Sequence, residues 1–238
     1  MPKNINLKKV RIDMKLFLSG GGSGEQSEEL DKAFVEQLDT SKPLLYIPIA
    51  MDAKEHSYPD CLIWLKGTFN KWGVKEYILL DEKELYRYNN IRLENFSGIY
   101  IGGGNTPYLL KTLKDSNFWN ILQNALKKSL PMYGGSAGAI IFAKTIISAL
   151  RDDENFVKLE NFSGLNSIKG YNLFCHYDSS KEEGIKQIIN QYKMEKAIAL
   201  PEETGLQILN DKIKVIGKKS AVLFSKNNKE EIKSGSLI

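Results

Sequence analysis

Histidine, cysteine and long apolar runs are scarce in this sequence of 238 residues. The two cysteines, Cys61 and Cys175, form no C-x-x-C pair. Two distant cysteines are typical of a reducing cytoplasm, and one long-range disulfide stays open as the alternative. Apolar runs fall short of the roughly 18 residues of a membrane span, and the polar first segment lacks the apolar core of a signal peptide. We therefore expect a cytoplasmic protein without membrane contact.

The charge is nearly balanced, which argues against a nucleic-acid partner. The sequence has 33 basic and 29 acidic residues and a net charge of +4. Lysines are interspersed with glutamates, and the basic runs "ALKKS" and "IGKKS" are short. This pattern indicates a solvated surface and no nucleic-acid footprint. A hydrophobic content of 42% in a chain of this length provides a core that needs no disulfide or metal.

Strand-like apolar runs alternate with helical patterns along the chain. Strands are predicted at 15–21, 43–50, 74–81, 98–104, 130–135, 171–177, 196–201, 204–209, 212–217 and 221–225. Helices are predicted at 27–38, 58–73, 106–115, 117–129 and 182–193. The alternation predicts a three-layer α/β fold, a mostly parallel sheet with helices on both faces and a hairpin at one edge. We expect residues 1–13 to be an N-terminal extension and 14–238 to be a single α/β domain.

A serine surrounded by small residues is the first candidate for chemistry. The stretch "GGSAG" (134–138) matches the G-x-S-x-G nucleophile elbow, between strand-like "LPMY" and apolar "AIIFA". A nucleophile on such a turn has a strained backbone, so only small neighbours fit. The first N–H groups of the following helix can stabilise an oxyanion. This predicts Ser136 as a nucleophile, with a glycine-rich turn capped by serine as the alternative. We interpret the similar stretch "SGGGSG" (19–24) as a strand-end turn or a phosphate-loop lookalike.

A serine nucleophile needs a base and an acid that orients the base. His176 ends a predicted strand at the edge where ligands bind in open α/β sheets, and a structural role is its alternative. His56 lies in a polar loop, on the surface or in contact with substrate. Glu202 and Glu203 follow a strand and give the order Ser, His, acid. Asp152 would give the order of α/β-hydrolases.

The glycine loop "IGGGNTP" (101–107) is the candidate for a second oxyanion donor. Glycines let a backbone approach a substrate closely. The alternative is a plain strand-to-helix turn with Asn105 or Thr106 as the N-cap. The residues leave both interpretations open.

Four segments together resemble a known family. "GGGNTPYLLKTL", "GGSAGA", "FCHYD" and "LPEETGLQI" occur in the order typical of the peptidase E (aspartyl dipeptidase) and cyanophycinase family of serine peptidases, over roughly residues 14–225. The resemblance implies a class I glutamine amidotransferase-like, flavodoxin-like fold. It also implies Ser136 as nucleophile, His176 as general base and acid, and Glu202 as third member. Glu203 is the fallback, and Asp152 is an additional candidate.

The resemblance also implies the reaction. A serine hydrolase of this family cleaves short peptides through an acyl-enzyme without a metal or cofactor, here with Ala137 and Gly104 donating to the oxyanion. Preference for an N-terminal aspartate requires a cation near the scissile bond, for which Arg151 and Lys181 are candidates. The alternatives are a cyanophycinase-like isopeptidase, an esterase and a non-catalytic binding module of the same fold. We expect a monomer or a homodimer.

Overall fold

The computed structural model describes residues 13–87, 91–225 and 228–238, so residues 1–12 of the predicted extension lie outside the described residues. The strands are β1 Lys15–Ser19, β2 Leu44–Ile47, β3 Tyr77–Leu79, β4 Gly98–Ile101, β5 Met132–Gly135, β6 Asn172–Phe174, β7 Lys196–Ala199, β8 Thr204–Leu209, β9 Lys212–Gly217, β10 Ala221–Ser225 and β11 Asn228–Ile232. The helices are α1 Glu28–Val35, α2 Tyr58–Phe69, α3 Glu82–Arg87, α4 Thr106–Asp115, α5 Phe118–Lys127, α6 Ala137–Ile140 and α7 Glu182–Gln191.

A seven-stranded sheet forms the centre, in the order β3-β2-β4-β5-β1-β8-β9. Its first five strands run parallel, and β8 and β9 are added antiparallel. This arrangement confirms the predicted mostly parallel sheet and the hairpin at its edge. Asn210 and Asp211 at the hairpin turn have φ angles of 51° and 63°, the positive values that a tight hairpin needs.

Four strands form a second sheet, in the order β11-β10-β7-β6, whereas we expected all strands in one sheet. Here β6 pairs with β7 in parallel, and β10 and β11 continue antiparallel. This sheet has an apolar core of its own, in which Ile185 of α7 packs with Phe174, Ala197 and Phe224. Packing between α7 and these strands buries the apolar side chains, and this tertiary burial explains why the four strands pair with each other and are not part of the main sheet.

Helices cover both faces of the main sheet, as predicted. On one face α1 and α2 enclose a largely aromatic cluster that includes Phe17, Phe34, Phe69 and Tyr133. On the other face α4, α5 and α6 pack on aliphatic strand residues such as Ile99. In the described part of the chain, no helix is long and apolar enough to cross a membrane.

The helix that follows Ser136 is a single turn, α6, and is shorter than the sequence pattern predicts. The chain beyond it is held by backbone bonds to a distant segment. The Lys144 N–H donates to the Tyr171 carbonyl and the Ile146 N–H to the Phe162 carbonyl, each at 2.9 Å. Since these donors find tertiary partners, the apolar "IIFA" sequence is buried without continuing the helix.

A buried carboxyl group lies on the aromatic face. Asp31 of α1 is 2% exposed, and the Ser27 hydroxyl donates to its Oδ2 at 2.7 Å. Burial raises the pKa of Asp31 to about 6, from an ordinary value of 3.8. The folded chain therefore holds a proton between about pH 4 and pH 6 that the unfolded chain has released.

This protonation predicts a pH-dependent contribution to stability. Asp31 stabilises the folded chain fully below about pH 4, and the contribution of about 3 kcal/mol is lost as the pH rises through about 6. We expect Asp31→Asn to remove this loss, so that the variant gains free energy of unfolding relative to wild type between pH 4 and pH 8. Urea unfolding of both proteins across this range checks it, and a difference that does not vary with pH would contradict it.

Candidate active site

Three side chains from three strand ends meet at one edge of the fold. Ser136 follows β5, while His176 and Glu202 follow β6 and β7 of the second sheet. The Ser136 Oγ lies 2.8 Å from His176 Nε2, and His176 Nδ1 lies 3.0 Å from Glu202 Oε1. The site therefore spans the junction of the two sheets.

The turn at Ser136 has the tight geometry that the motif predicts. Its φ and ψ of 46° and −108° are a conformation that a non-glycine residue rarely adopts. A Cβ at Gly134 would lie 2.3 Å from the Gly138 carbonyl oxygen, and one at Gly138 would lie 2.2 Å from that of Ile101. Larger residues at these two positions would collide with backbone, so the flanking glycines are required.

The base is fixed through its backbone. His176 has a φ of 52°, in the left-handed region. Its N–H donates to the Gly20 carbonyl at 2.8 Å, and the carbonyl of His176 accepts from the Lys181 Nζ at 2.7 Å. The imidazole lies against Gly21, where a Cβ would come within 2.1 Å of Cε1. The glycines after β1, interpreted from the sequence as a turn or a phosphate loop, thus form the surface on which the imidazole rests.

The acid is held from two sides. Glu202 accepts from the imidazole on Oε1 and from the Gln26 Nε2 on Oε2, the latter at 3.2 Å, and its carbonyl accepts from the Gly22 N–H at 3.1 Å. The hydrogen bond to His176, assisted by Gln26, holds the pKa of the Glu202 carboxyl below its usual range. An ionised carboxylate keeps the proton of the imidazole on Nδ1, which leaves Nε2 to accept from the serine.

The other two candidate acids have different partners. Glu203 pairs with Lys219 at 2.8 Å. Asp152 binds the Arg151 guanidinium, and this contact lowers the pKa of the Asp152 carboxyl. Glu202 is thus the candidate acid that contacts the imidazole in the described structure.

The two candidate cations have partners outside the cavity. Arg151 binds Asp152 through Nε and Nη2, while its buried Nη1 has no hydrogen-bond partner among the described residues, and Lys181 donates to the carbonyl of His176. Neither side chain lines the cavity next to Ser136. Lys181 therefore has a structural contact with the base, which the sequence did not predict.

The glycine loop after β4 approaches the serine. A Cβ at Gly103 would lie 3.3 Å from the Ser136 Cβ, whereas one at Gly104 would lie 2.0 Å from the Ala50 carbonyl oxygen. The backbone of Gly103 therefore comes close to Ser136, while Gly104 packs against the backbone at Ala50, and the role of Gly104 as an oxyanion donor stays a prediction. Asn105 caps α4 by accepting from the Tyr108 N–H at 2.9 Å. The sequence left two interpretations of this segment open, a glycine loop near the substrate and a turn that caps the next helix. In the structure the segment lies near Ser136 and also caps α4.

A cavity of about 500 Å³ opens beside Ser136. Its walls include Tyr46, Trp64 and Tyr100, and His56 lies exposed on its lining. His56 is therefore a surface residue, as one interpretation predicted, and its place beside the cavity is also compatible with the other, contact with substrate. The sequence did not predict the aromatic wall, because its residues come from separate elements and follow no motif.

Comparison with protein families places this geometry in context. The family model of peptidase family S51 matches residues 16–216. The chain belongs to peptidase family S51. The matched range contains Ser136, His176 and Glu202, and the resemblance read from the four sequence segments is confirmed at the level of the family.

Curated S51-type relatives carry the name peptidase E. That of Haemophilus influenzae strain PittGG is 30% identical over 142 residues, which is 57% of this chain and 60% of the relative. That of Nostoc sp. strain PCC 7120 is 24% identical over 192 residues, 77% of this chain and 76% of the relative. The match thus spans about 60% of the length of the H. influenzae protein.

Solved structures confirm the fold. A candidate peptidase E from Listeria monocytogenes EGD-e superposes with a TM-score of 0.68 at 21% identity, covering 87% of this chain and 99% of the other. A peptidase from an acI-B1 actinobacterium superposes with a TM-score of 0.71 at 20% identity, covering 96% and 97%. This S51 chain therefore has the predicted class I glutamine amidotransferase-like, flavodoxin-like fold.

Proposed function

We propose that this chain is a serine peptidase that hydrolyses short peptides through an acyl-enzyme. The main support is a chain of two hydrogen bonds in a member of family S51. Ser136 Oγ lies 2.8 Å from His176 Nε2, and His176 Nδ1 lies 3.0 Å from Glu202 Oε1. A nucleophile, a base and an orienting acid in hydrogen-bond contact are the requirements for acyl transfer.

The chemistry follows from these contacts. His176 Nε2 takes the proton of the Ser136 hydroxyl while Oγ attacks the scissile carbonyl carbon. The tetrahedral adduct collapses, the C–N bond breaks, and the imidazolium gives its proton to the leaving amine. A water molecule then loses a proton to Nε2 and attacks the ester. The acid product departs, and the serine recovers its proton.

Two backbone amides would hold the oxyanion. Ala137 is the first residue of α6, so its N–H has no acceptor within the helix. The resemblance implies Gly104 as the second donor, and the close approach of the Gly103 backbone to Ser136 makes the neighbouring Gly103 amide the alternative. Among the described residues, the N–H groups of Gly103, Gly104 and Ala137 donate to no backbone acceptor. Free donors in these places support the assignment.

A fluorophosphonate probe tests the proposal directly. We expect wild-type protein to be labelled once, at Ser136, as located by mass spectrometry. The labelling rate of His176→Gln is expected to be lower by about 100-fold or more, since the base is missing. Absence of labelling would identify a non-catalytic binding module, and labelling at another serine would contradict the assignment.

A substrate panel separates the related hydrolases. Dipeptides, β-aspartyl peptides and simple esters distinguish a dipeptidase from a cyanophycinase-like isopeptidase and an esterase. Aspartyl dipeptides are the substrates that the resemblance implies, and the cavity beside Ser136 argues for a different side chain. A cytoplasmic location and a monomer or homodimer are part of the same proposal.

A further inference from the structure

The cavity beside Ser136 has an aromatic wall. Its volume of about 500 Å³ lies in the range of about 300 to 1,000 Å³ that is usual for small-ligand sites. Tyr46 and Tyr100 are 3% and 5% exposed, and Tyr100 meets Tyr46 and Trp64 edge to face, at centroid distances of 5.7 and 6.3 Å. Met51 and Cys61 continue this apolar surface. Such a wall favours a large apolar or aromatic side chain.

The charge of the cavity opposes an acidic side chain. Asp60 lines it, and its Oδ2 accepts from the Ser57 hydroxyl at 2.6 Å. Among the described residues that line the cavity, none is lysine or arginine, and the basic side chain that does line it, His56, is exposed to solvent. A substrate carboxylate placed there would lose water, face another carboxylate and find no fixed cation. Each of these effects disfavours the ionised form.

The backbone of the cavity is also poorly suited to an acidic group. Glycine loops often bind anions through their N–H groups, but here three of these groups are engaged. The Gly21 N–H donates to Ser19 Oγ at 3.2 Å, and the Gly22 N–H donates to the Glu202 carbonyl at 3.1 Å. The Gly102 N–H donates to the last carbonyl of β2 at 2.9 Å. The donors that remain include the tyrosine hydroxyls, which are neutral, and the Gly103 N–H, which lies beside Ser136 and is a candidate oxyanion donor.

The position of the cavity relates it to the acyl part of the substrate. Its lining reaches Ser136 and Gly103, between which a bound carbonyl would sit. We infer that the cavity receives the side chain of the residue whose carbonyl is attacked, that this side chain is large and apolar or aromatic, and that aspartate is disfavoured. The inference rests on the proposed function, and Trp64 and Asp60 are its specificity-determining residues.

The ratio of kcat/KM between matched substrates measures this preference. The series is X-Leu dipeptides with X as Phe, Leu, Ala or Asp, together with the p-nitrophenyl esters of the same residues. We expect Phe and Leu to exceed Ala by at least about 10- to 200-fold, which is the usual effect of a single methylene in an apolar pocket. We expect Asp to fall below Ala.

Variants on α2 assign the effect to its residues. Trp64→Ala is expected to lower the Phe-to-Ala ratio by about tenfold. Ile63→Ala is the matched control, because Ile63 is the adjacent residue, is 68% exposed and does not line the cavity. It is expected to leave the ratio unchanged. Asp60→Asn is expected to raise the Asp-to-Ala ratio by about two- to tenfold, since a nearby like charge is removed.

The outcomes separate this inference from the proposed function. If Ser136 reacts with the fluorophosphonate and aspartyl substrates exceed phenylalanyl ones, the inference is wrong and the serine hydrolase stands. Equal loss of the Phe-to-Ala ratio in Trp64→Ala and Ile63→Ala would also overturn it. If neither labelling nor hydrolysis of any peptide or ester occurs, the proposed function fails and the inference fails with it.

Discussion

Replacing Ser136 by alanine is expected to lower kcat by about 10⁴- to 10⁶-fold. The hydroxyl oxygen is the atom that would form the acyl-enzyme, and it lies 2.8 Å from the imidazole nitrogen that would accept its proton. Without it, hydrolysis must use water, with help only from substrate binding and the oxyanion donors. KM is expected to change little, because the removed atom contributes little to ground-state binding.

The control for this variant is Ser129→Ala. Ser129 is also a serine with positive φ, 58° against 46° for Ser136, but it precedes β5 and so lies at the opposite end of that strand. Alanine keeps a Cβ at a positive φ in both variants, so neither substitution removes that constraint and a difference in activity between them reports on chemistry. Kinetics on the best substrate of the panel, with circular dichroism to verify folding, decide the case. Retention of more than about a tenth of the activity by Ser136→Ala would reject the nucleophile assignment.

The fold was largely predictable where local pattern decides structure. The strands at 204–209, 212–217 and 221–225 and the helix at 106–115 have the predicted bounds, because turn residues or a cap close each of them. The division into two sheets was not predictable, since strand pairing depends on tertiary burial. The last strand, Asn228–Ile232, was missed because its sequence "NKEEI" has four exposed polar residues and no apolar alternation.

The site was predictable only where a motif marks it. Ser136, His176 and Glu202 were identified from strand-end placement and family resemblance, and the structure brings them into contact. Gln26 was missed because it reaches Glu202 across 176 positions of sequence. Gly21 had a detectable signal, since "SGGGSG" ends a strand at the same edge as the nucleophile. The pattern did not reveal that an imidazole would lie against that glycine.

Glu202 and Glu203 are adjacent acids with different partners, His176 for the first and Lys219 for the second. Glu202→Gln is expected to lower kcat by about 10³- to 10⁴-fold, because the neutral amide no longer stabilises the imidazolium and can present an N–H to Nδ1, which favours the wrong tautomer. The shape of the side chain and the bond from Gln26 can be kept, so the loss reports on charge and tautomer. The rate of fluorophosphonate labelling is expected to fall with kcat.

Glu203→Gln provides the matched control, since it makes the same chemical change one residue further along. The Glu203 carboxylate pairs with Lys219 on the surface, and exposed pairs of this kind contribute about 0 to 1 kcal/mol to stability. We expect its kcat to change by less than about threefold, because the residue does not contact the imidazole. A larger loss in Glu203→Gln than in Glu202→Gln would mean that the loop rearranges when substrate binds and that the fallback acid is the one that orients His176. Equal small losses in both would mean that the imidazole is oriented by its backbone and by Gly21 alone.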